Sequence, residues 1–356
     1  MSKEILVGFL QYYMVPMLFL LLFFLAFLLI YNRLKYAYIS YKKRVYNPKI
    51  TEKLTELTFM GLQGEALKNE VNQIKTEFPY HKKWFRKLLL SSIIDLSLSL
   101  KGDLIYQVRD IYMAFGLHKY SLKLIKSPFW YTKCTGIYHF QALNFVHGQK
   151  YIKPYISSKN EVLRSNAFIA HLYLTTEPFD FLVDYPYSIS AVNEYKVIDV
   201  FYMKKEPIPK NIEKWLDAKN SSVVILGLKV MVFYNDTATS DKIIELLNHV
   251  EYRVRQEAII SIRDLFVVDA EETLLQRFDL EKKQLKIEIL QSLAAVGGEL
   301  TVSFISKNLE RNDLDKDLKI ELLKCLKSID PDYFNTRFLM DMEIDRMKAH
   351  INSALI

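Results

Sequence analysis

The stretch Glu251 to Leu265, EYRVRQEAIISIRDL, constrains this chain more than any other because it recurs. Val254, Ala258 and Ile262 fall at i, i+4 and i+8, one stripe of a helix that Leu265 continues. Arg255, Glu257 and Arg263 fill the other side. LKIEILQSL from Leu285 and LKIELLKCL from Leu318 repeat the form, in steps of 31 and 33 from Val254. Upstream, Val224 (VILGLKVMVF) stands 30 before Val254. Tyr195, Leu163 and Tyr131 continue the series in steps of 29, 32 and 32, the two tyrosines fitting more loosely. One helical hairpin cannot bury its apolar stripe, so hairpins at this period stack and share a continuous core. With no strand-like alternation of useful length, the expected fold is all-α: an α-solenoid behind an N-terminal transmembrane helix.

That N-terminal helix follows from the run between Ile5 and Tyr31, which has no charged residue and reads MVPMLFLLLFFLAFLLI from Met14 to Ile30. About twenty apolar residues cross a hydrocarbon core. A cleaved signal peptide would have a shorter apolar core and a small-residue cleavage site, and neither is present. Arg33, Lys35, Lys42, Lys43 and Arg44 follow the run and form the expected membrane-interface residues, with tyrosines at both ends. The positive-inside rule then places the N-terminus outside and the bulk of the chain in the cytoplasm, as a single-pass protein of the inner membrane.

The expected organisation is an anchor over 1–32, a basic juxtamembrane helical segment over 33–80, a solenoid over 81–330 and a helical cap over 331–356. A first amphipathic segment is expected at Ile50 to Phe59, and helices at 65–78, 81–100, 104–115 and 121–126. Outer helices are expected at 151–156, 179–185, 212–218, 241–250, 270–278 and 300–309, each followed by a polar turn and an inner helix. Asp103, Asn160, Asn220 and Asp313 stand at cap positions before inner helices. Ala167 and Ala258 leave room for neighbouring helices, and Met340, Met342 and Met347 are expected to pack the last repeat.

Charge is uneven. Residues 1–206 hold 27 Lys and Arg against 16 Asp and Glu, a net +11, and residues 207–356 hold 21 against 25, a net −4. The basic half is the one beside the membrane, which suits an anionic bilayer surface. No basic stripe recurs from repeat to repeat, so nucleic acid is not an expected partner. Cys134 and Cys325 read as two buried thiols.

The inner helices resemble the short, roughly thirty-residue HEAT-like repeats, whose inner helix opens with a polar turn and then V-R-x-x-A. YRVRQEAIISI matches, and EVLRSNAFIAHL matches through Leu163, Arg164 and Ala167. LKIEIL and LKIELL keep the apolar-basic pair but place Ile289 and Leu322 where the alanine stands. The layout, with GDLIYQVRDIYMAFGLHKYSLKLIKSPFWYTKCTGIYHF after the anchor, also resembles bacterial membrane-anchored HEAT-repeat proteins associated with envelope or polysaccharide gene clusters. That resemblance implies a protein partner such as a membrane glycosyltransferase or a regulator, and carries over no catalytic residue.

Catalytic signals are absent from the motifs. None of the seven histidines precedes a glutamate, as in HEAT-like iron hydroxylases, and no phosphate-binding loop or nucleophile elbow occurs. No catalytic, cofactor or metal residue is expected. A HEAT-like metal-dependent or lyase-type enzyme and a membrane-tethered nucleic-acid binder are the alternatives. The unusual feature is aromatic density between Phe129 and Tyr202. Tyrosine joins a large rigid area to a polar tip and suits interfaces. Trp130, Tyr131, Tyr138, Tyr173, Tyr195 and Tyr202, with Lys196, Lys204 and Lys205, are therefore the candidate partner-binding residues of a non-enzymatic scaffold.

Overall fold

The computed structural model describes residues 10–100, 102–311, 314–336 and 342–353, and every regular element among them is helical. The chain divides into two compact units, one up to Leu174 and one from Thr175 on.

The first unit begins with α1 (Val15–Phe59), followed by α2 (Gly64–Glu77), α3 (Lys83–Ser99), α4 (Leu104–Ala114) and α5 (Leu117–Ile125). After these come α6 (Trp130–Ala142), α7 (Gln149–Ile152) and α8 (Glu161–Leu174). From Val15 on, the apolar run, the basic cluster and the expected amphipathic segment are one uninterrupted helix of 45 residues, not separate elements. Pro48 lies inside it and removes one backbone donor. Burial of Ile50, Leu54 and Leu57 where α1 packs on α3 offsets that loss. Asp103 stands at the start of α4 without a side-chain capping bond. Gly116 joins α4 to α5 at φ +75, a left-handed geometry that disfavours a Cβ. Onward, α5 packs on α6 and α6 on α8.

The second unit holds α9 (Ala191–Lys204), α10 (Ile212–Leu216), α11 (Ser221–Tyr234), α12 (Ser240–Glu245) and α13 (Tyr252–Asp264). It continues with α14 (Glu271–Phe278), α15 (Lys283–Val296), α16 (Glu299–Leu309), α17 (Lys316–Ile329), α18 (Pro331–Thr336) and α19 (Met342–Ser353). The long helices pack in chain order, α9 on α11, α11 on α13, α13 on α15 and α15 on α17, and α17 is covered by α18 and α19. Most of the elements between them are short. At 179–182 a single 3-10 turn replaces the expected helix. Met347 is buried in α19, Met342 is exposed, and Met340 and Asp313 lie outside the described residues.

Burial confirms the sequence register at five helices and corrects it at two. Leu163, Val224, Val254, Leu285 and Leu318 are all buried. Tyr131 and Tyr195 are exposed, because the buried face there runs through Gly136 and Phe140, and through Asn193, Val197 and Phe201. Aligned on burial, the central position reads Gly136, Ala167, Val197, Leu228, Ala258, Ile289 and Leu322, every one buried. Its steps are 31, 30, 31, 30, 31 and 33, tighter than the unaided sequence suggested.

Helix ends repeat as well. Asn160 caps α8 (Leu163 N–H to Oδ1, 2.9 Å) and Asn220 caps α11 (Ser222 N–H to Oδ1, 3.1 Å), as expected. Asp315, not anticipated, caps α17 through Leu318 N–H at 2.9 Å. At the C-terminal ends, Asn144, Lys205, Asn235 and Phe266 adopt positive φ after α6, α9, α11 and α13. In each case the next residue's N–H bonds the carbonyl five back, from Phe145 to Phe140, Glu206 to Phe201, Asp236 to Met231 and Val267 to Ile262. This closure satisfies carbonyls that a helix end leaves open. The motif arginines also act alike: Arg164 bonds Ser158 O (2.8 Å) and Arg255 bonds His249 O (2.9 Å), each six residues back across the preceding turn.

Candidate functional site

Helix α6 brings part of the predicted aromatic set together. Trp130, Tyr131 and Tyr138 are exposed on the first unit, and Tyr131, Thr135 and Tyr138 lie on one face at i, i+4 and i+7. Phe129, which the expectation omitted, stacks on Tyr131 at 5.6 Å, and Trp130 meets Tyr131 edge-on at 5.9 Å. These rings pack on one another and face water. Tyr173 is half-buried in α8 and does not join the exposed set. Other tyrosines of the dense region are structural. Tyr155 donates to Ile125 O (3.1 Å) and accepts from Lys133 Nζ (3.0 Å).

In the second unit, α9 exposes Tyr195, Lys196 and Tyr202, with Val192 and Met203 beside them. Lys229 Nζ sits over the Tyr195 ring at 4.8 Å. Lys204, by contrast, is drawn inward. Its Nζ donates to Thr175 O at 2.6 Å, pairs with Glu206 at 3.2 Å and lies over Phe179. It fastens the end of α9 and offers little to a partner. Lys205 is exposed but is the left-handed residue that closes the helix.

Beneath this face runs a row of charge that sequence reading missed, since each member looked like a solvated face residue. Lys229 pairs with Glu257 at 2.9 Å, and Arg253 reaches the buried Glu194 at 3.3 Å. Burial pushes the Glu194 carboxyl above its usual range, and the pull of Arg253 and Lys229 does not cancel it. Arg253 borders a cleft of about 720 Å³ whose lining includes Asp184, Tyr185, Asp217, Asn220 and Glu251. Asn220 shapes it by donating to Tyr185 O and Tyr187 O at 2.7 and 2.8 Å.

A raised folded-state value means the ionised Glu194 weakens the fold above that value and ceases to do so as pH falls below the unfolded one. Glu194→Gln should therefore leave the midpoint of thermal unfolding at neutral pH unchanged or higher. A clear fall in that midpoint would reverse the assignment.

Nucleophiles and metal ligands do not converge. Cys325 is buried at a register position filled by Ala170, Ser261 and Ser292 in α8, α13 and α15, and burial pushes its thiol up to about 12. Cys134 is half-buried, less enclosed than expected. Ser121 Oγ lies 3.1 Å from His139 Nδ1, but the serine has no solvent exposure and so no route for a substrate. Among the described residues, no three His, Cys, Asp or Glu side chains are grouped to hold a metal.

The basic collar lies on α1. Arg33, Lys35, Lys43 and Arg44 are exposed and Lys42 is half-buried. Lys35 and Lys42 sit over the rings of Tyr31 and Tyr38, one turn back, at 5.8 and 4.9 Å.

Compared with known proteins, the chain matches no protein-family model and no curated sequence.

Proposed function

We propose that this chain is a single-pass membrane protein whose cytoplasmic part is a HEAT-like α-solenoid serving as a non-enzymatic adaptor for another protein. The observation that carries the docking role is the exposed cluster of Phe129, Trp130, Tyr131 and Tyr138 on α6. Phe129, Trp130 and Tyr131 pack on one another and Tyr138 is exposed two turns further on, all outside the buried stripe of the helix, which fits a surface that a partner covers. The even burial register and the repeated helix ends support the solenoid.

For the membrane, the support is the stretch from Met14 to Ile30, whose large apolar side chains are all exposed. Leaving each in water forfeits about 1.5–3 kcal/mol, which over such a run reaches tens of kcal/mol. A lipid environment removes that cost. The resemblance to membrane-anchored proteins of envelope and polysaccharide clusters makes a membrane glycosyltransferase or its regulator the first partner to test, with the solenoid on the cytoplasmic side.

The test is purification of the full chain from membranes in mild detergent, with and without the combined change Trp130→Ala, Tyr131→Ala and Tyr138→Ala. These side chains are exposed, so helix content should not change. A partner retained by the parent chain should fall by at least about tenfold, the loss of one good anchor of about 1.4 kcal/mol. Equal retention by both would remove α6 as the docking face.

A further inference from the structure

The stretch of α1 between the apolar run and the first buried residue, Ile50, is a helix with two differently used apolar stripes. Ile39 and Tyr46 are half-buried on one side, and Tyr46 packs against Phe78, Trp84 and Phe85 at 5.6–6.3 Å. The other stripe, Leu34, Tyr38, Tyr41 and Val45, is 41–67% exposed. Its spacing of 4, 3 and 4 is that of a two-helix seam. Helical geometry puts Lys35, Lys42 and Lys49 along one edge of this seam and Arg33 and Arg44 along the other. From Ile5 to Thr51 the sequence has no Asp or Glu to balance them.

Bilayer headgroups account for only part of this charge. At 1.5 Å per residue, Lys42 to Arg44 stand roughly 16–20 Å beyond Tyr31 and Lys49 about 27 Å. The headgroup zone is only about 5–8 Å deep on each side and screening acts over about 8 Å. Arg33 and Lys35 therefore reach lipid phosphates, Lys42 lies at the limit of their field, and Lys43, Arg44 and Lys49 stand beyond it. A second copy of the chain does not fit either. Held in the same membrane it would run parallel, setting Arg44 against the other copy's Lys49 and the nearest acid on the seam, Glu52, against its own counterpart.

We propose that the exposed seam of α1 from Leu34 to Val45 docks a helix of a different membrane protein, one with an apolar seam flanked by Asp and Glu. The inference rests on the membrane-span reading above and on no feature of the α6 patch. The cation–π contacts of Lys35 and Lys42 already hold two ammonium groups beside the seam, which reduces the ordering that pairing requires.

The probe is a synthetic amphipathic helical peptide with leucine along its seam and glutamate on both flanks. It is offered to the full chain in phosphatidylcholine nanodiscs, with and without added phosphatidylglycerol. Binding to the neutral discs is expected, with about a tenfold loss on Lys42→Glu plus Arg44→Glu, from two or more flanking pairs. A similar loss is expected on Tyr38→Ser plus Tyr41→Ser, and no binding of a lysine-flanked peptide. Undiminished binding by the seam variant, or no binding by the parent chain, would overturn the proposal. So would an effect of the charge reversal confined to phosphatidylglycerol discs, which would assign the cations to lipid. Carbonate extraction is run in parallel: a chain released from membranes would lose the span, and with it the reach argument, whatever the peptide does.

Discussion

Glu281→Ala is expected to destabilise the second unit by about 3–5 kcal/mol, the cost of removing one partner from a buried ion pair. Glu281 is buried in the turn between α14 and α15. Arg255 approaches it in a two-point clamp, Nε to Oε1 at 2.7 Å and Nη2 to Oε2 at 3.0 Å, and Arg277 donates to Oε1 as well. The same Arg255 reaches His249 O and Val250 O at 2.9 and 3.0 Å. One carboxylate thus fixes an arginine that ties together the turns before α13 and α15. Its removal leaves two guanidinium groups, both largely buried, without an anion.

The pH dependence of that clamp has a definite sign. Burial pushes the Glu281 carboxyl up, but the hydrogen bonds from Arg255 and Arg277 outweigh it and hold it below the usual range. Its contribution is present above the unfolded carboxylate value and is lost as pH falls through the folded one. Hydrogen exchange in α13 and α15 of the full chain reads both effects. The alanine variant should open these helices far more often at neutral pH. Its rates should also change less than the parent's when the solution is acidified below about pH 4. Unchanged protection in the variant would show that the clamp is ornamental.

The buried stripe of the long helices was legible because burial imposes a period on sequence. Where the buried position is aliphatic, as at Val224, Val254, Leu285 and Leu318, the stripe reads directly. It misled at α6 and α9, where aromatic residues one or two places away from the buried face mimicked it. Tyr131 and Tyr195 are apolar enough to enter the pattern, while Gly136 and Asn193 do not look like core. That error explains why these two tyrosines belong to a surface set at all. Helix ends were half legible. Asn160 and Asn220 announce caps by type, but nothing about Lys205 or Phe266 signals the left-handed closure, which is set by the chain turning back into the core.

The candidate site was less legible still. Exposure of an aromatic depends on register to within one residue, so Tyr138 could be assigned and Tyr173 could not. Lysine is harder, because its stem reaches inward or outward from the same backbone position. Lys204 turned in to Thr175, a partner 29 residues away, and no local pattern records that. The continuity of α1 was hidden by its changes of composition, from apolar run to basic cluster to amphipathic segment, which read as separate elements although the helix runs through all three and through Pro48.

The first unit should lose about 3 kcal/mol of stability between pH 6.5 and pH 4, through His139. Gly136 makes this possible: a Cβ there would stand 2.7 Å from Ser121 O and from Ile125 Cγ1, so only glycine lets α5 lie this close to α6. The approach seals His139 against Ser121 Oγ, and burial pushes the imidazole down to about 4. A folded value below the unfolded one means that only the unfolded chain takes up the proton across this window. Stability is therefore complete above about 6.5 and drains away toward 4, at about 1.36 kcal/mol per pH unit. The window lies above that of Glu281, so the two losses separate on an acid titration. Local opening of α5 and α6, corrected for the intrinsic exchange rate, should rise by about a hundredfold across it. Gly136→Ala should shrink the slope by forcing the two helices apart and admitting water. Its gain in helix propensity, about 1 kcal/mol, is set against about 1–3 kcal/mol of overpacking. The decisive measurement is an NMR titration of the imidazole in the full chain: a midpoint near the ordinary histidine value would mean His139 is not sealed, and the acid loss would have to come from elsewhere.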